Sequence, residues 1–258
     1  MKPVATILIL LCCINLFGQS TNDDFNTLKA SKKWKLKFEN SLTNNWKDHW
    51  FLDGKRAKVE TNEKGMTFTA GSVERNDSCH AVLWTNKSFK GDIKIEYEYT
   101  RTDTKQKWVN ILYIQATGVK PYAKDIFKWK EARTVPAMKT YYNHMNALHI
   151  SYAAFNNNTG EEYVRARKYP VKPGENFNTS TEIPPAFTDT GLFLPNQTYK
   201  ITVIKTDETL YFNVEGKNES RLFSWDISEI GSVKNGRIGL RHMFTRSARY
   251  ADFKVFIK

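Results

Sequence analysis

Beyond a polar lead-in, the chain reads as short runs in which apolar and polar positions alternate, broken by Gly, Asn, Asp and Pro. Period-two alternation belongs to strands, whose successive side chains point to opposite faces. The pattern predicts strands over 34–39, 58–61, 66–70, 80–84, 93–100, 109–116, 147–153, 163–168, 199–206, 209–214, 236–243 and 251–257. Asp207-Glu208, between two such runs, reads as a hairpin turn. No long helical period competes with these strands, so the expected fold is all-β: a jelly-roll, concanavalin A-like antiparallel β-sandwich formed as one domain over 21–258.

Alternation also assigns faces. If Leu148 and Ile150 enter a core, His149 and Ser151 must point the other way. The same parity sets Arg165 and Arg167 opposite Val164 and Ala166, and Arg241 opposite Ile238 and Leu240. Three strands would then offer one imidazole and three guanidinium groups to a shared open surface. Tyr152 falls on the opposite face from His149 unless a bulge intervenes. Two long interruptions, 121–140 with Phe127, Trp129 and Met138, and 169–197 rich in Pro, Thr and Asn, flank the same strand pair. Loops of this length in a compact sandwich typically bind or cover ligands.

Composition supports a sizeable core, with 40% hydrophobic and 14% aromatic residues among 258. Lys2, an apolar run over 4–17 and Gly18-Gln19-Ser20 have the order of a secretory signal peptide, and the run is short for a membrane span. An exported protein, periplasmic or secreted, with no transmembrane segment is expected. Cys12 and Cys13 raise a lipid anchor as a second reading, but bulky Leu11 suits lipoprotein cleavage poorly. Removal of the leader leaves Cys79 alone, without an intrachain disulfide partner.

The formal net charge is +12, yet no basic block of five or more residues occurs, which argues against nucleic acid as the partner. An acidic polysaccharide or oligosaccharide is the expected partner of an exported basic protein. A plain lysine-rich soluble surface accounts for the charge equally well. Oligomeric state is not legible.

Several segments in order, His80-Ala81-Val82-Leu83-Trp84, Tyr142 with Asn146 to Tyr152, Arg165-Ala166-Arg167-Lys168, Gly239 to Met243 and Tyr250 to Phe253, carry a likeness. Together they resemble a bacterial family of concanavalin-like jelly-roll proteins long labelled as of unknown function, one of them encoded among rhamnogalacturonan-degradation genes. The resemblance implies a carbohydrate role beside polysaccharide lyases and oligosaccharide dehydratases of ulvan-type gene clusters. It points to His80, Tyr142, Asn146, His149, Tyr152, Arg165, Arg167, Lys168, Arg241 and Tyr250. His242 stands where the family pattern leads one to expect an amide, and Tyr169-Pro170 begins a longer loop.

The implied chemistry is β-elimination from a uronate, in which a cation must neutralise the carboxylate before the weakly acidic neighbouring proton can leave. Arg165, Arg167 and Arg241 suit that task through paired guanidinium bonds, with Asn146, Lys168 and Tyr152 as further substrate contacts. His149 is the expected base, His80 its competitor, and Tyr142 or Tyr250 the proton donor. Each histidine also has a structural reading as a hydrogen-bonded strand residue, and the arginines as a solvated strand face.

Two rivals stand beside elimination. Glu96 and Glu98 share one strand face, as the acids of jelly-roll glycoside hydrolases do, but Thr100 occupies the next position and the pair reads as outer surface. A non-catalytic carbohydrate-binding module or lectin is the other. No zinc, phosphate-loop or serine-hydrolase motif occurs and no cofactor is expected, while a structural calcium ion held by loop oxygens remains compatible with the sequence.

Overall fold

The computed structural model describes residues 20–231 and 233–258. The leader reading, over 1–20, lies outside these except for residue 20. A helical segment over 20–30 comes first. It is followed by β1 (Lys35–Asn40), β2 (Trp50–Asp53), β3 (Lys58–Asn62), β4 (Gly65–Thr69), β5 (Ala81–Lys90), β6 (Ile93–Arg101), β7 (Trp108–Gly118) and β8 (Met145–Phe155). Then come β9 (Glu162–Tyr169), β10 (Glu182–Thr188), β11 (Thr198–Lys205), β12 (Thr209–Glu215), β13 (Ser220–Asp226), β14 (Asn235–His242) and β15 (Ser247–Ile257).

These strands make two antiparallel sheets. The back sheet runs β13-β12-β11-β6-β15-β4-β3, with β1 also on β15; the front sheet runs β10-β9-β8-β7-β14-β5-β2. Alternation explains the packing. Ile93, Ile95, Tyr97 and Tyr99 of β6 meet Leu148 and Ile150 of β8, Val164 and Ala166 of β9, and Ile238 and Leu240 of β14 in one core between the sheets. Burying such side chains contributes roughly 1.5–3 kcal/mol each. The protein is therefore the all-β, concanavalin A-like sandwich expected from its pattern.

All twelve expected strands form, and three more were not read: β2, β10 and β13. Each of the three terminates a sheet. An edge strand needs no two-sided apolar signal, and β10 carries Pro184 and Pro185, which only an edge tolerates. The interruption at 169–197 thus contains a strand and a short helix, Phe177–Ser180. Likewise 121–140 is largely helical, with a kinked 3-10 stretch Ile126–Arg133 and a helix Met138–His144, both too short to announce a period.

Glu96 and Glu98 project from the back sheet away from the core, Glu98 exposed and Glu96 paired with Lys94 at 3.1 Å. Phe25 of the leading helical segment packs on Ile204 and Tyr211, which occupy that same outer surface.

Candidate functional site

The outer face of the front sheet is where the alternation delivers its polar residues. Register places Trp84, Gly239, Tyr113, His149, Arg167 and Glu182 in one row across six strands. The adjacent row carries Val82, Arg241, Ile111, Ser151 and Arg165. Gly239 leaves room for the indole of Trp84: a Cβ there would lie 2.5 Å from its ring.

Part of this face is covered by the 121–144 segment. Tyr141 lies parallel to Trp84 and Tyr113, with ring centroids 6.5 and 6.0 Å away. Asp53 of β2 is the anchor, accepting from Trp84 Nε1 at 2.7 Å, Tyr141 at 3.0 Å and Arg133 Nε at 2.5 Å. Arg241 is buried beneath the segment, donating to the Pro136 carbonyl at 2.7 Å with its guanidinium 4.5 Å from the Tyr141 ring centre. It is on the predicted face, but that face is not open there.

Beside this cover a cleft of about 940 Å³ stays open. His149, Ser151, Arg165 and Arg167 contribute to it from the sheet, Met138 and Tyr142 from the helix, and His80, Trp108 and Phe244 from the far side. The second interruption closes the remaining side through Phe177 and Asn178.

His149 is held at both nitrogens, Nδ1 2.7 Å from the Tyr169 hydroxyl and Nε2 2.7 Å from Ser151 Oγ. Burial, followed by the charges of Arg167, Arg165 and Arg241, holds its pKa well below the ordinary value, so the ring is neutral at physiological pH. His80 is pushed down to about 2 by burial and by Arg241, although Asp77 Oδ1 lies 3.3 Å from its Nε2. Asp77 is exposed, and its water-screened charge does not offset burial. Arg165 Nη1 and Arg167 Nη2 share one carboxylate oxygen of Glu182 at 3.3 and 3.6 Å. Arg167 also donates to Thr181 Oγ1 at 2.8 Å and stacks 4.5 Å over Phe177.

The cleft therefore gathers His149, His80, Tyr142, Arg165 and Arg167, while the other five expected site residues lie elsewhere: Arg241 beneath the cover, and four more between the sheets. Tyr250 belongs to the core between the sheets, bonded to His242 Nε2 at 2.8 Å and to Tyr152 at 3.3 Å. It is not placed to donate a proton in the cleft. Tyr152 shares that core: a bulge does occur in β8, but the register shift follows Ser151 and the left-handed residue is Ala153, too late to turn Tyr152 outward. Asn146 and Lys168 have the parity of Leu148 and Ala166 and so face the back sheet. There Lys168 Nζ donates to Asn146 Oδ1 at 2.7 Å. His242, stacked on Phe68 at 4.4 Å, is likewise between the sheets.

Ser151 was placed on this face by alternation but given no role, and two further participants were not singled out from sequence. Tyr169 could have been, because it shares the parity of Arg165 and Arg167. Glu182 carried no signal, lying in a proline-bearing stretch. Among the described residues no group of three or more His, Cys, Asp or Glu side chains is placed to hold a metal ion. None of their helices is long and apolar enough to cross a membrane.

Comparison with solved structures defines the class of fold. A Bacillus subtilis protein of unknown function with a galectin-like fold superposes with TM-score 0.61 at 18% identity, covering 87% of this chain and 99% of that one. The legume lectin-like domain from Entamoeba histolytica gives 0.58 at 6% identity over 86% and 97%. Basic winged bean lectin with Tn-antigen gives 0.56 at 6% over 86% and 98%. The molecule is a lectin-like sandwich. Residues 35–255 match the model of the family described as "Domain of unknown function (DUF1961)", and the chain belongs to that family. No curated protein matches it.

Proposed function

We propose that the front-sheet cleft binds a carbohydrate, and that the sugar it selects carries a carboxylate or another anionic group. The observation that carries this reading is the charge around His149: the groups acting on it are Arg167, Arg165 and Arg241. Arg165 and Arg167 lie side by side on β9 and, among the described residues, share a single carboxylate, that of Glu182. A guanidinium pair with spare donors beside aromatic walls suits a planar anion on a ring with one apolar face. The resemblance to lectin folds, whose members include a winged bean lectin with Tn-antigen, supports a saccharide as ligand. The leader pattern supports an exported setting for this binding.

Calorimetric titration with uronate oligosaccharides, from ulvan-like and pectin-like sources, against their neutral counterparts tests the reading. Binding of the acidic set alone is expected, with Arg165→Met weakening it by roughly tenfold to a hundredfold, the size of one charged hydrogen bond. Equal affinity for both sets, or none for either, would refute it.

One feature favours a second reading, elimination. A histidine kept neutral beside an arginine pair has the protonation state a base needs while the arginines stabilise an enolate-like charge. In that reading His149 takes the proton and Tyr142, which also lines the cleft, supplies one to the leaving oxygen. Growth of the ultraviolet absorbance of an unsaturated uronate, abolished in His149→Ala, is the expected signature; tight binding with no absorbance change leaves a lectin.

A further inference from the structure

We propose that Ser151 is a nucleophile and that this cleft hydrolyses an O-acyl ester carried on its saccharide. Ser151 lies two residues from His149 on one face of β8, lines the cleft, and has its Oγ 2.7 Å from His149 Nε2. The other ring nitrogen is engaged by Tyr169 at 2.7 Å. Nucleophile, base and orienting group are thus in mutual hydrogen-bond reach, the arrangement that activates a serine whatever the fold or sequence order. In the reactive tautomer Ser151 O–H donates to Nε2 and Nδ1–H donates to the Tyr169 hydroxyl.

Acyl transfer also needs a fixed donor where negative charge develops on the carbonyl oxygen. Arg165 is directly across the ladder from Ser151. Its guanidinium is fixed by Glu182 at 3.3 Å and by the Tyr163 ring at 4.6 Å, and its Nε is buried without a hydrogen-bond partner. Cross-strand neighbours lie about 5 Å apart at Cβ, within reach of an oxyanion on the Ser151 adduct.

The chemistry balances without any cofactor. Ser151 Oγ bonds to the acyl carbon as its proton passes to His149 Nε2; the bond from acyl carbon to sugar oxygen breaks, and His149 returns the proton to the departing sugar hydroxyl. Water then attacks the acyl-serine, gives a proton to His149 and releases the carboxylic acid, and that proton restores Ser151. The proposal rests on the carbohydrate reading only for the identity of the leaving group.

The test separates the two. The whole protein is treated with a fluorophosphonate and its mass measured, the labelled peptide is mapped, and turnover of p-nitrophenyl acetate, which contains no sugar, is followed. One phosphonyl group on Ser151 is expected, absent in Ser151→Ala, with esterase turnover lost in that variant and reduced at least tenfold in His149→Gln. Acetate release from O-acetylated uronate oligosaccharides then identifies the leaving group. No adduct at Ser151, or ester turnover unchanged in a Ser151→Ala variant whose thermal unfolding matches the parent, would overturn the proposal whatever the saccharide titrations give.

Discussion

At the scale of single residues, one guanidinium that never reaches the cleft still acts on both of its histidines. Arg241 is wholly buried, yet its charge acts on both His80 and His149. Burial is the larger cause for each ring, so removing the charge should restore only part of the ordinary affinity for a proton. Arg241→Met is expected to raise the titration midpoints of both imidazoles, followed by their ring proton shifts in NMR, with His80 moving because the Arg241 charge lowers it. A His80 midpoint unmoved in a folded variant would show that burial alone sets it. The sequence displayed this group's face but not its cover, since parity fixes direction and says nothing of what a distant loop lays on top.

Among elements, the decisive piece is the 121–144 segment, which converts a flat sheet face into a walled cleft. Its attachment is concentrated on Asp53, which accepts from Arg133 and Tyr141 of the segment and from Trp84 of β5. Replacing that carboxylate leaves Arg133 buried and unpaired, a loss of about 3–5 kcal/mol for a broken buried pair. Asp53→Ala should lower the urea midpoint accordingly and speed amide exchange in 121–144 before the strands of the front sheet. Most strands were legible because burial of one face writes period two into the sequence, whereas β2, β10 and β13 at the ends of the sheets were not read. The same logic divides the site. His149, Ser151, Arg165 and Arg167 follow from alternation, whereas Tyr250, Asn146 and Lys168 entered through a resemblance that names residues without saying which way they point.

For the molecule as a whole, three neutral histidines buried in or beside the front sheet couple folding to pH. His80 and His242 are pushed down to about 2 and about 3, and His149 lies well below its ordinary range, each mainly by burial. In the unfolded chain all three titrate near 6.5. The unfolded state therefore binds protons that the folded state refuses, and stability is complete above about pH 6.5 and lost as pH falls. The slope approaches about 1.4 kcal/mol per pH unit for each histidine, or about 4 for the set, a large fraction of a typical domain stability. Glu162 and Asp53, whose carboxyls burial raises, act in the opposite sense nearer the carboxylate range. Urea midpoints measured from pH 7 to 5 should fall steeply; a flat profile would mean that these rings accept protons without unfolding.

Where the helical segment at 20–30 rests has a practical corollary. Phe25 seats it on Ile204 and Tyr211, the side of the sandwich remote from His149. Anything attached ahead of that point, whether a lipid, a resin or a fused partner, would grip the molecule by its reverse and leave the sugar-sized opening turned outward, toward whatever polymer drifts past.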